Sequence, residues 1–341
     1  MMRLPYFRYH APRTIAEAAD LLSNGDAVIV AGGTDLLPNM KRRQQAPRTL
    51  VGIRNIADLG RITNGSGLTI GAGVTLTALL RDGRVRDRYA ALWQAARQVA
   101  TPQLRNMGTI GGNLCLDTRC NYYDQSYEWR KAIDFCMKKD GATCWVATSS
   151  PKCLAVSSTD TAPALLALGA TVTVTSARGT RTISLADLYQ NDGIHYLTRQ
   201  PDEILSAVHL PPRDQWRSTY WKLRRRGAFD FPVLGVACAL KLDRDGTVEA
   251  ARVVLGAVAS RPLEVPAAAT ALVGQRLTDE VIAHAADLAA QPARPMDNTD
   301  YSLHWRKRVT RDFVTYALAE LRGDDTRDVR RRVARQELLM L

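Results

Sequence analysis

The hydrophobic positions of this chain change their spacing several times, and each spacing predicts a different element. Residues 27–30 form a short apolar run that leads directly into a glycine pair, and a helical pattern follows from residue 36. Together they predict a parallel α/β start. Residues 170–175 alternate strictly between apolar and polar side chains, the pattern of a half-buried strand. The runs 233–242 and 248–258 flank the sequence Asp-Arg-Asp-Gly and predict a hairpin.

Helical spacing recurs in the first third and near the end of the chain. Apolar side chains within 85–99 fall on one helical face, and three further helices are predicted at about 264–274, 278–291 and 303–322. Residues 114–156 keep no regular period. A structureless loop of that length is unusual unless something organises it.

These changes of pattern predict three parts. The first is a domain over 1–213 that contains the irregular insertion 114–156, and the second is a smaller α+β domain over 214–323. The third is an arginine-rich tail over 324–341, predicted as a solvated helix or a contact arm.

Composition and charge narrow the class of protein. The chain has 341 residues, 46% of them hydrophobic, and a net charge of +12. It shows no secretory h-region and no apolar run of about 18 residues, so we expect a cytoplasmic protein without a membrane span. The positive charge is typical of a solvated basic surface, although it also suits docking of an acidic protein such as a ferredoxin. No nucleic-acid-binding motif accompanies it, so we expect no nucleic-acid partner.

Two glycine loops are candidates for binding a phosphate. They are A-G-G-T-D at 31–35 and T-I-G-G-N at 109–113. Glycine lets backbone N–H groups approach a phosphate closely, but a glycine pair after a strand is also ordinary turn geometry. Neither loop matches the dinucleotide fingerprint G-x-G-x-x-G or the triphosphate loop. The remaining hypothesis is a diphosphate held between two separate loops.

Four cysteines, Cys120, Cys136, Cys144 and Cys153, crowd into the irregular insertion with 15, 7 and 8 residues between them. In a reducing compartment such clustering favours metal ligands or redox groups. The spacing lacks the tight pairs of zinc ribbons, so zinc, an iron–sulfur cluster and unligated thiols stay open. Cys238 lies in an apolar strand and is predicted to be a core residue, while Cys115 is ambiguous.

Groups that would activate a substrate are not evident. The five histidines are scattered without metal-ligand spacing, and there is no G-x-S-x-G nucleophile motif. No catalytic residue is therefore assigned. This pattern favours an electron-transfer component over a complete enzyme.

The order of several motifs resembles the FAD-binding, medium subunit of xanthine dehydrogenase-type molybdenum hydroxylases. These motifs are A-G-G-T-D-L-L at 31–37, T-I-G-G-N at 109–113, S-T-D-T-A-P at 158–163, D-E-I-L at 202–205, Y-W-K at 220–222 and D-F-P-V-L-G-V-A at 230–237. The inserted sequence L-C-L-D-T-R-C-N-Y-Y resembles one branch, the beta subunits of 4-hydroxybenzoyl-CoA reductase. In that branch the insertion holds a [4Fe–4S] cluster.

The resemblance implies an α+β fold. It consists of a PCMH-type FAD-binding fold of two α/β subdomains, with the flavin between them, and a C-terminal α+β domain like that of the CO dehydrogenase flavoprotein. It assigns the cluster to Cys120, Cys136, Cys144 and Cys153. It assigns FAD binding to the residues that match the family's flavin positions: Ile29, Val30, Ala31, Gly32, Gly33, Thr34, Asp35, Leu36, Val99, Thr109, Gly111, Gly112, Asn113, Asp160, Leu205 and Lys222.

The resemblance also implies partners and an activity. The partners are a large molybdenum-cofactor subunit and a small [2Fe–2S] subunit, in a dimer of heterotrimers. In the named branch the complex removes the para-hydroxyl of 4-hydroxybenzoyl-CoA, with reduced ferredoxin as donor. Electrons then pass from this chain's cluster to FAD, to the [2Fe–2S] centres and to molybdenum. Two alternatives stay open: the electron-transfer subunit of an aldehyde or heteroaromatic hydroxylase or of another dehydroxylase, and a basic iron–sulfur sensor of nucleic acid.

Overall fold

The computed structural model describes residues 3–23, 25–213 and 215–335. The strands that it contains are β1 Arg8–His10, β2 Ala27–Val30, β3 Thr49–Gly52, β4 Ile62–Asn64, β5 Leu68–Gly71, β6 Thr171–Ser176, β7 Gly179–Ser184, β8 Ile204–Leu210, β9 Trp216–Leu223, β10 Leu234–Leu242, β11 Val248–Gly256 and β12 Leu263–Glu264.

The α-helices of the same residues are α1 Ile15–Ser23, α2 Leu36–Lys41, α3 Leu76–Arg81, α4 Gly83–Arg88, α5 Ala90–Arg97, α6 Pro102–Arg105, α7 Ile110–Leu114, α8 Tyr127–Ala132, α9 Thr161–Ala167, α10 Pro266–Leu272, α11 Asp279–Ala290, α12 Leu303–Arg322 and α13 Arg327–Arg335. None of these helices is both long enough and apolar enough to cross a membrane.

The chain forms two compact units that are not continuous in sequence. Unit 1 consists of 1–79, 102–155 and 169–212, and unit 2 of 80–101, 156–168 and 213–341. The last change of unit falls at Arg213. Residues 80–101 and 156–168 also belong to unit 2, although no change of composition marks their ends. Their assignment depends on contacts between residues that are distant in the sequence.

Unit 1 begins with a parallel three-stranded sheet in the order β1-β3-β2. Helix α1 connects β1 to β2, and the Thr14 hydroxyl caps it by accepting a hydrogen bond from the Glu17 N–H at 3.1 Å. Ala18, Ala19 and Leu22 of α1 are buried with Val51 of β3. The predicted α/β start is therefore present, and β2 ends where the first glycine loop begins.

The second sheet of unit 1 is antiparallel, with five strands in the order β4-β5-β8-β6-β7. His209 on β8 lies between two threonines of the neighbouring strands: its Nδ1 is 3.1 Å from the Thr69 hydroxyl and its Nε2 is 2.7 Å from the Thr173 hydroxyl. Both ring nitrogens of this histidine therefore have a hydrogen-bonding partner inside the sheet.

Unit 2 is built on an antiparallel sheet in the order β12-β11-β10-β9. Its core contains Trp221 of β9 and Phe313 of α12, whose rings meet edge to face at 6.3 Å. Cys238 on β10 is fully buried in the same core, which confirms the prediction that it is a core residue. The hairpin and the three helices predicted beyond 233 are all present, as β10–β11 and α10–α12.

One stretch differs from its predicted form. The single helical face over 85–99 is divided into α4 and α5 at Tyr89, whose backbone leaves the helical region at φ −129° and ψ 55°. The described part of the tail forms α13, and its residues Val329 and Val333 pack against the unit 2 core, which favours the contact arm over the solvated helix. The tail residues 336–341 lie outside the described residues.

Arg330 anchors the tail helix to the sheet of unit 2. Its guanidinium lies 4.1 Å from the centre of the Trp221 ring and donates to the Glu320 carboxylate at 2.6 Å. It also donates to the Thr219 hydroxyl at 2.9 Å. The same Glu320 oxygen accepts the Trp221 indole N–H at 2.8 Å, so one carboxylate joins α12, α13 and β9.

We expect Arg330→Met to lower the free energy of unfolding by about 1–3 kcal/mol, because Glu320 loses a charged partner in a half-buried place. Arg331→Met is the matched control, since the Arg331 side chain is 68% exposed and pairs with an exposed Asp328. That control should change stability by less than about 0.5 kcal/mol. Urea denaturation of both variants measures the difference, and equal effects would contradict a docked tail.

Candidate functional site

The first glycine loop connects β2 to α2 in unit 1. Gly33 has φ +70°, a left-handed conformation that favours glycine. Within the described ranges, the backbone N–H groups of residues 32–36 donate to no acceptor. A run of free N–H groups of this kind is suited to the oxygens of an anionic group such as a phosphate.

The second glycine loop is organised differently. The N–H groups of Gly111, Gly112 and Asn113 donate to the Ala72 carbonyl, the Thr109 hydroxyl and the Thr109 carbonyl at 2.9, 3.0 and 2.9 Å. A Cβ at Gly111 would lie 2.6 Å from the Cβ of Ala72, so this glycine is required by packing. Gly112 is exposed, and a Cβ there would meet only the Thr109 hydroxyl, at 3.1 Å.

The two loops lie side by side. A Cβ on Gly32 would overlap the carbonyl group of Met107, at the start of the second loop. A Cβ on Gly108 would lie 3.6 Å from the Thr34 hydroxyl. The fold thus brings together two glycine motifs that are more than seventy residues apart in the sequence. Gly32 is needed for this close approach, whether or not a ligand is bound.

The other predicted flavin residues belong to both units. Leu205 is a buried residue of β8 in unit 1, whereas Val99, Asp160 and Lys222 belong to unit 2. Within unit 2, Lys222 donates to Asp160 at 2.9 Å and to the carbonyls of Gln98 and Asp230 at 3.0 and 2.9 Å. These three acceptors favour the charged ammonium.

Burial acts on this pair in the opposite sense. It raises the pKa of Asp160 and lowers that of Lys222, and each partner opposes the shift of the other. The Tyr220 hydroxyl donates to the second Asp160 oxygen at 2.9 Å. The carboxylate is thus paired and fully hydrogen-bonded, as buried charges generally are.

The four cysteines of the insertion are all buried in unit 1. Cys120, Cys136 and Cys153 share one cluster with Tyr123 and Ala155. Cys144 is near enough for its charge to act on Cys153. Within the described residues, no group of three or more Cys, His, Asp or Glu side chains converges closely enough to hold a metal ion as the side chains stand.

The backbone around Cys136 is unusual. Asp134, Phe135 and Asp140 have φ values of 60°, 57° and 69°, although none of them is glycine. Such conformations each cost about 1–3 kcal/mol and persist where the surrounding structure holds them. The Cys136 carbonyl accepts the N–H groups of Lys139 and Gly141 at 2.8 and 3.1 Å, so the turn is closed on this cysteine.

Burial disfavours the free thiolate at two of the four cysteines, Cys120 and Cys153. Burial raises the pKa of Cys120 to about 12 and that of Cys153 to about 11. The Ala155 N–H, 3.4 Å from the Cys153 sulfur, opposes this shift, and so does the charge of Lys138. Metal ligation requires the deprotonated thiol, so a bound cation is what would stabilise thiolates here.

A charged network joins Cys120 to the first glycine loop. The Arg119 side chain is 6% exposed and forms an ion pair with Asp35, the last residue before α2. It also donates to Asn39 of α2 at 3.1 Å and to Asp124 at 3.3 Å. The other Asp124 oxygen accepts the Cys120 N–H at 3.3 Å.

Sequence patterns did not identify three residues that complete this region. Arg119 directly precedes Cys120, and a charged residue beside a buried cysteine was a usable signal. Lys138 lies between two of the cysteines. Gly193 had no signal, because it reaches the cysteines only in the folded chain: a Cβ there would lie 2.6 Å from the Cys153 sulfur.

Comparison with known proteins finds a family match for each of two long segments of the chain. Residues 5–213 match the FAD binding domain in molybdopterin dehydrogenase, and residues 218–321 match the CO dehydrogenase flavoprotein C-terminal domain. The predicted α+β fold class is confirmed by these matches and by the structural similarity that follows.

Individual relatives agree with this. The chain is 36% identical to the FAD-binding subunit of an aldehyde oxidoreductase from Escherichia coli, over 79% of this chain and 85% of that protein. It is 31% identical to the FAD subunit of nicotinate dehydrogenase from Eubacterium barkeri, over 81% and 82% of the two chains. The structure of carbon monoxide dehydrogenase from Hydrogenophaga pseudoflava aligns with a TM-score of 0.77 at 27% identity, covering 94% of this chain and 99% of that one.

The alignments with these relatives extend over most of the length of each chain. The chain therefore belongs to the FAD-binding medium subunits of the xanthine dehydrogenase and CO dehydrogenase family of molybdenum hydroxylases, and it is an oxidoreductase flavoprotein that serves as an electron-transfer subunit.

Proposed function

We propose that this subunit holds a [4Fe–4S] cluster on Cys120, Cys136, Cys144 and Cys153 in addition to FAD. The observation that carries the proposal is the burial of all four thiols in one part of an otherwise irregular insertion. The donor set is the one that iron–sulfur clusters use. The proposed ligands all lie in the insertion, outside the two glycine loops to which FAD binding is assigned.

The protein around the thiols supports a bound group. The insertion contains one short helix, α8, and its core is made of cysteines, tyrosines and buried charges. The positive-φ residues around Cys136 and the close approach of Gly193 to Cys153 indicate that the sulfurs are held in fixed places. A cluster bonded to four sulfurs would give this segment the organisation that hydrophobic packing gives elsewhere.

The flavin assignment rests on the paired glycine loops. The free N–H groups of 32–36 would donate hydrogen bonds to the pyrophosphate oxygens of FAD. The adjoining residues 109–113 would line the opposite side of the pyrophosphate site. Ile29–Leu36, Val99, Asp160, Leu205 and Lys222 keep their proposed roles in holding the cofactor. Bound FAD supplies one- and two-electron chemistry, and the chain contributes placement and electrostatics.

For the whole enzyme we propose reductive removal of the para-hydroxyl of 4-hydroxybenzoyl-CoA in the cytoplasm, with reduced ferredoxin as donor. The partners are a large molybdenum-cofactor subunit and a small [2Fe–2S] subunit, in a dimer of heterotrimers. The net charge of +12 supports an acidic electron donor. The substrate binds to the large subunit, so this chain holds no substrate-activating residue.

A second candidate is oxidation of an aldehyde, with electrons leaving through this subunit. The 36% identity to an aldehyde oxidoreductase subunit favours it. It shares the cluster and flavin assignments and differs in substrate and in the direction of electron flow.

Anaerobically purified protein should contain about four irons and four acid-labile sulfides per chain. Cys136→Ser should lose most of the iron, because three thiolates hold the cluster less firmly than four. Iron and sulfide analysis with absorption spectroscopy measures both. Zinc without labile sulfide would refute the cluster.

The matched control is Cys115→Ser, the same change five residues before Cys120, at a half-buried site outside the ligand set. It should keep the iron content of the unaltered protein. Loss of iron in Cys115→Ser equal to that in Cys136→Ser would show that the ligand set is wrong.

Gly112→Val should lower FAD occupancy at least tenfold while the protein stays folded. The added side chain projects from an exposed position and meets only the Thr109 hydroxyl. Gly60→Val is the control, because Gly60 is also exposed and a Cβ there meets nothing within 4 Å. FAD titration by fluorescence quenching gives the affinities. Unchanged affinity in Gly112→Val would remove this loop from the flavin site.

Assays of the assembled complex with each substrate distinguish the two candidate reactions. We expect reduced ferredoxin to drive conversion of 4-hydroxybenzoyl-CoA to benzoyl-CoA, and benzaldehyde to be oxidised at less than a tenth of that rate. Product analysis by chromatography checks both reactions. Aldehyde oxidation without dehydroxylation would favour the second candidate and leave the cluster and flavin assignments intact.

A complex lacking flavin, with salt-dependent binding of DNA instead, would support the nucleic-acid sensor.

A further inference from the structure

Lys138 is a buried cation inside the cysteine insertion. Its side chain is 6% exposed, and its ammonium donates to an Asp117 oxygen at 2.8 Å, the Thr118 hydroxyl at 2.7 Å and the Gly193 carbonyl at 2.6 Å. A lysine ammonium has three N–H groups, so each one has an acceptor.

Two aromatic rings complete the surroundings of the ammonium. It lies 4.8 Å from the centre of the Tyr123 ring and 5.5 Å from that of Tyr196. Tyr123 also donates its hydroxyl to the second Asp117 oxygen at 3.0 Å. The cation is therefore fixed in one position and is largely screened from water.

Gly193 places this charge beside a cysteine. Its carbonyl accepts from Lys138, its N–H donates to the Cys153 carbonyl at 2.9 Å, and its α-carbon packs against the Cys153 sulfur. Cys120, Cys136 and Cys153 share the same buried cluster, and Lys138 follows Cys136 by two residues. The ammonium therefore stands at the edge of the group of sulfurs.

We propose that Lys138 is a positioning residue that raises the reduction potential of the iron–sulfur cluster by holding a fixed positive charge next to it. The proposal rests on the cluster proposed above. A cluster with four thiolate ligands becomes more negative when it accepts an electron, so a nearby cation stabilises the reduced form. Reduction becomes easier, and the potential rises.

Asp117 weakens this effect without cancelling it. Its carboxylate compensates the ammonium at 2.8 Å, so the cluster would experience the difference between two opposite charges at different distances. The ammonium is held on the carbonyl of Gly193, the residue that packs against the Cys153 sulfur. Burial leaves this charge little screened by salt.

The test is a redox titration of the anaerobic full-length chain. One electron per cluster is supplied by dithionite through soluble mediators, and the reduced cluster is followed by electron paramagnetic resonance. Lys138→Met keeps the aliphatic stem and removes the charge, and it should shift the midpoint potential downward. Lys139→Met is the matched control: it makes the same change in the next residue, whose side chain is 37% exposed and pairs with Asp140, and should leave the potential unchanged.

Lys138→Met leaves the buried Asp117 unpaired and could lose the cluster for that reason. The double variant Lys138→Met with Asp117→Asn removes both charges, and its asparagine can still hydrogen-bond to the Tyr123 hydroxyl. If the single variant contains no cluster, the midpoint potential of this double variant tests the proposal. We expect its potential also to fall, by less than in the single variant. A cluster-loaded Lys138 variant with an unaltered potential, or with the same shift as Lys139→Met, would overturn the proposal.

Iron and sulfide analysis of the unaltered protein distinguishes this failure from failure of the proposed function. If that protein contains no cluster, the cluster assignment fails. If it contains a cluster whose potential does not depend on Lys138, the assignment stands and the tuning role fails. A purely structural lysine would change the iron content of its variants but not the potential of the clusters that remain.

Discussion

The ion pair between Arg119 and Asp35 is the interaction on which the candidate site depends most. It joins the residue before Cys120 to the last residue of the first glycine loop, and Asn39 and Asp124 extend the same network. Arg119 is buried whereas Asp35 is partly exposed, so loss of Asp35 would leave the buried guanidinium with Asp124 as its remaining acidic partner. Gln44 and Arg42 add two further contacts, to the Tyr123 carbonyl and from Arg130. The cysteine insertion and the residues that follow the first glycine loop are thus held together by these contacts.

The two units are stabilised in different ways. Unit 2 has an ordinary apolar core of strand and helix side chains, in which Trp221 and Phe313 pack closely. The insertion in unit 1 has few aliphatic residues and relies on paired charges and hydrogen bonds around Arg119 and Lys138. Buried polar groups cost little only when each one has a partner, so such a segment tolerates few substitutions. This is why the residues that support the cysteines matter as much as the cysteines.

Glycine has two physical roles in the candidate site. Gly33 adopts a left-handed conformation, whereas Gly32, Gly111 and Gly193 are needed because another part of the chain approaches closely. The approach of Gly32 to Met107 brings the two loops together, and that of Gly193 to Cys153 brings Lys138 beside the sulfurs. The glycines of these motifs therefore indicate close packing of the chain at least as much as contact with a phosphate.

The sequence by itself determined the local elements and the family. Periodic patterns identified the strands at 27–30 and 170–175 and the last three long helices, because each depends on neighbours within a few residues. The cysteines and glycine loops were visible as composition, and their order carried the resemblance. Only the tertiary structure decided that α4 and α5 separate at Tyr89, that residues 80–101 and 156–168 belong to unit 2, and that the tail contacts β9 through Arg330. It also decided that Arg119 meets Asp35 and that Gly193 meets Cys153. These contacts join residues that are forty or more positions apart, and nothing in local spacing encodes which distant residues meet when the core is packed.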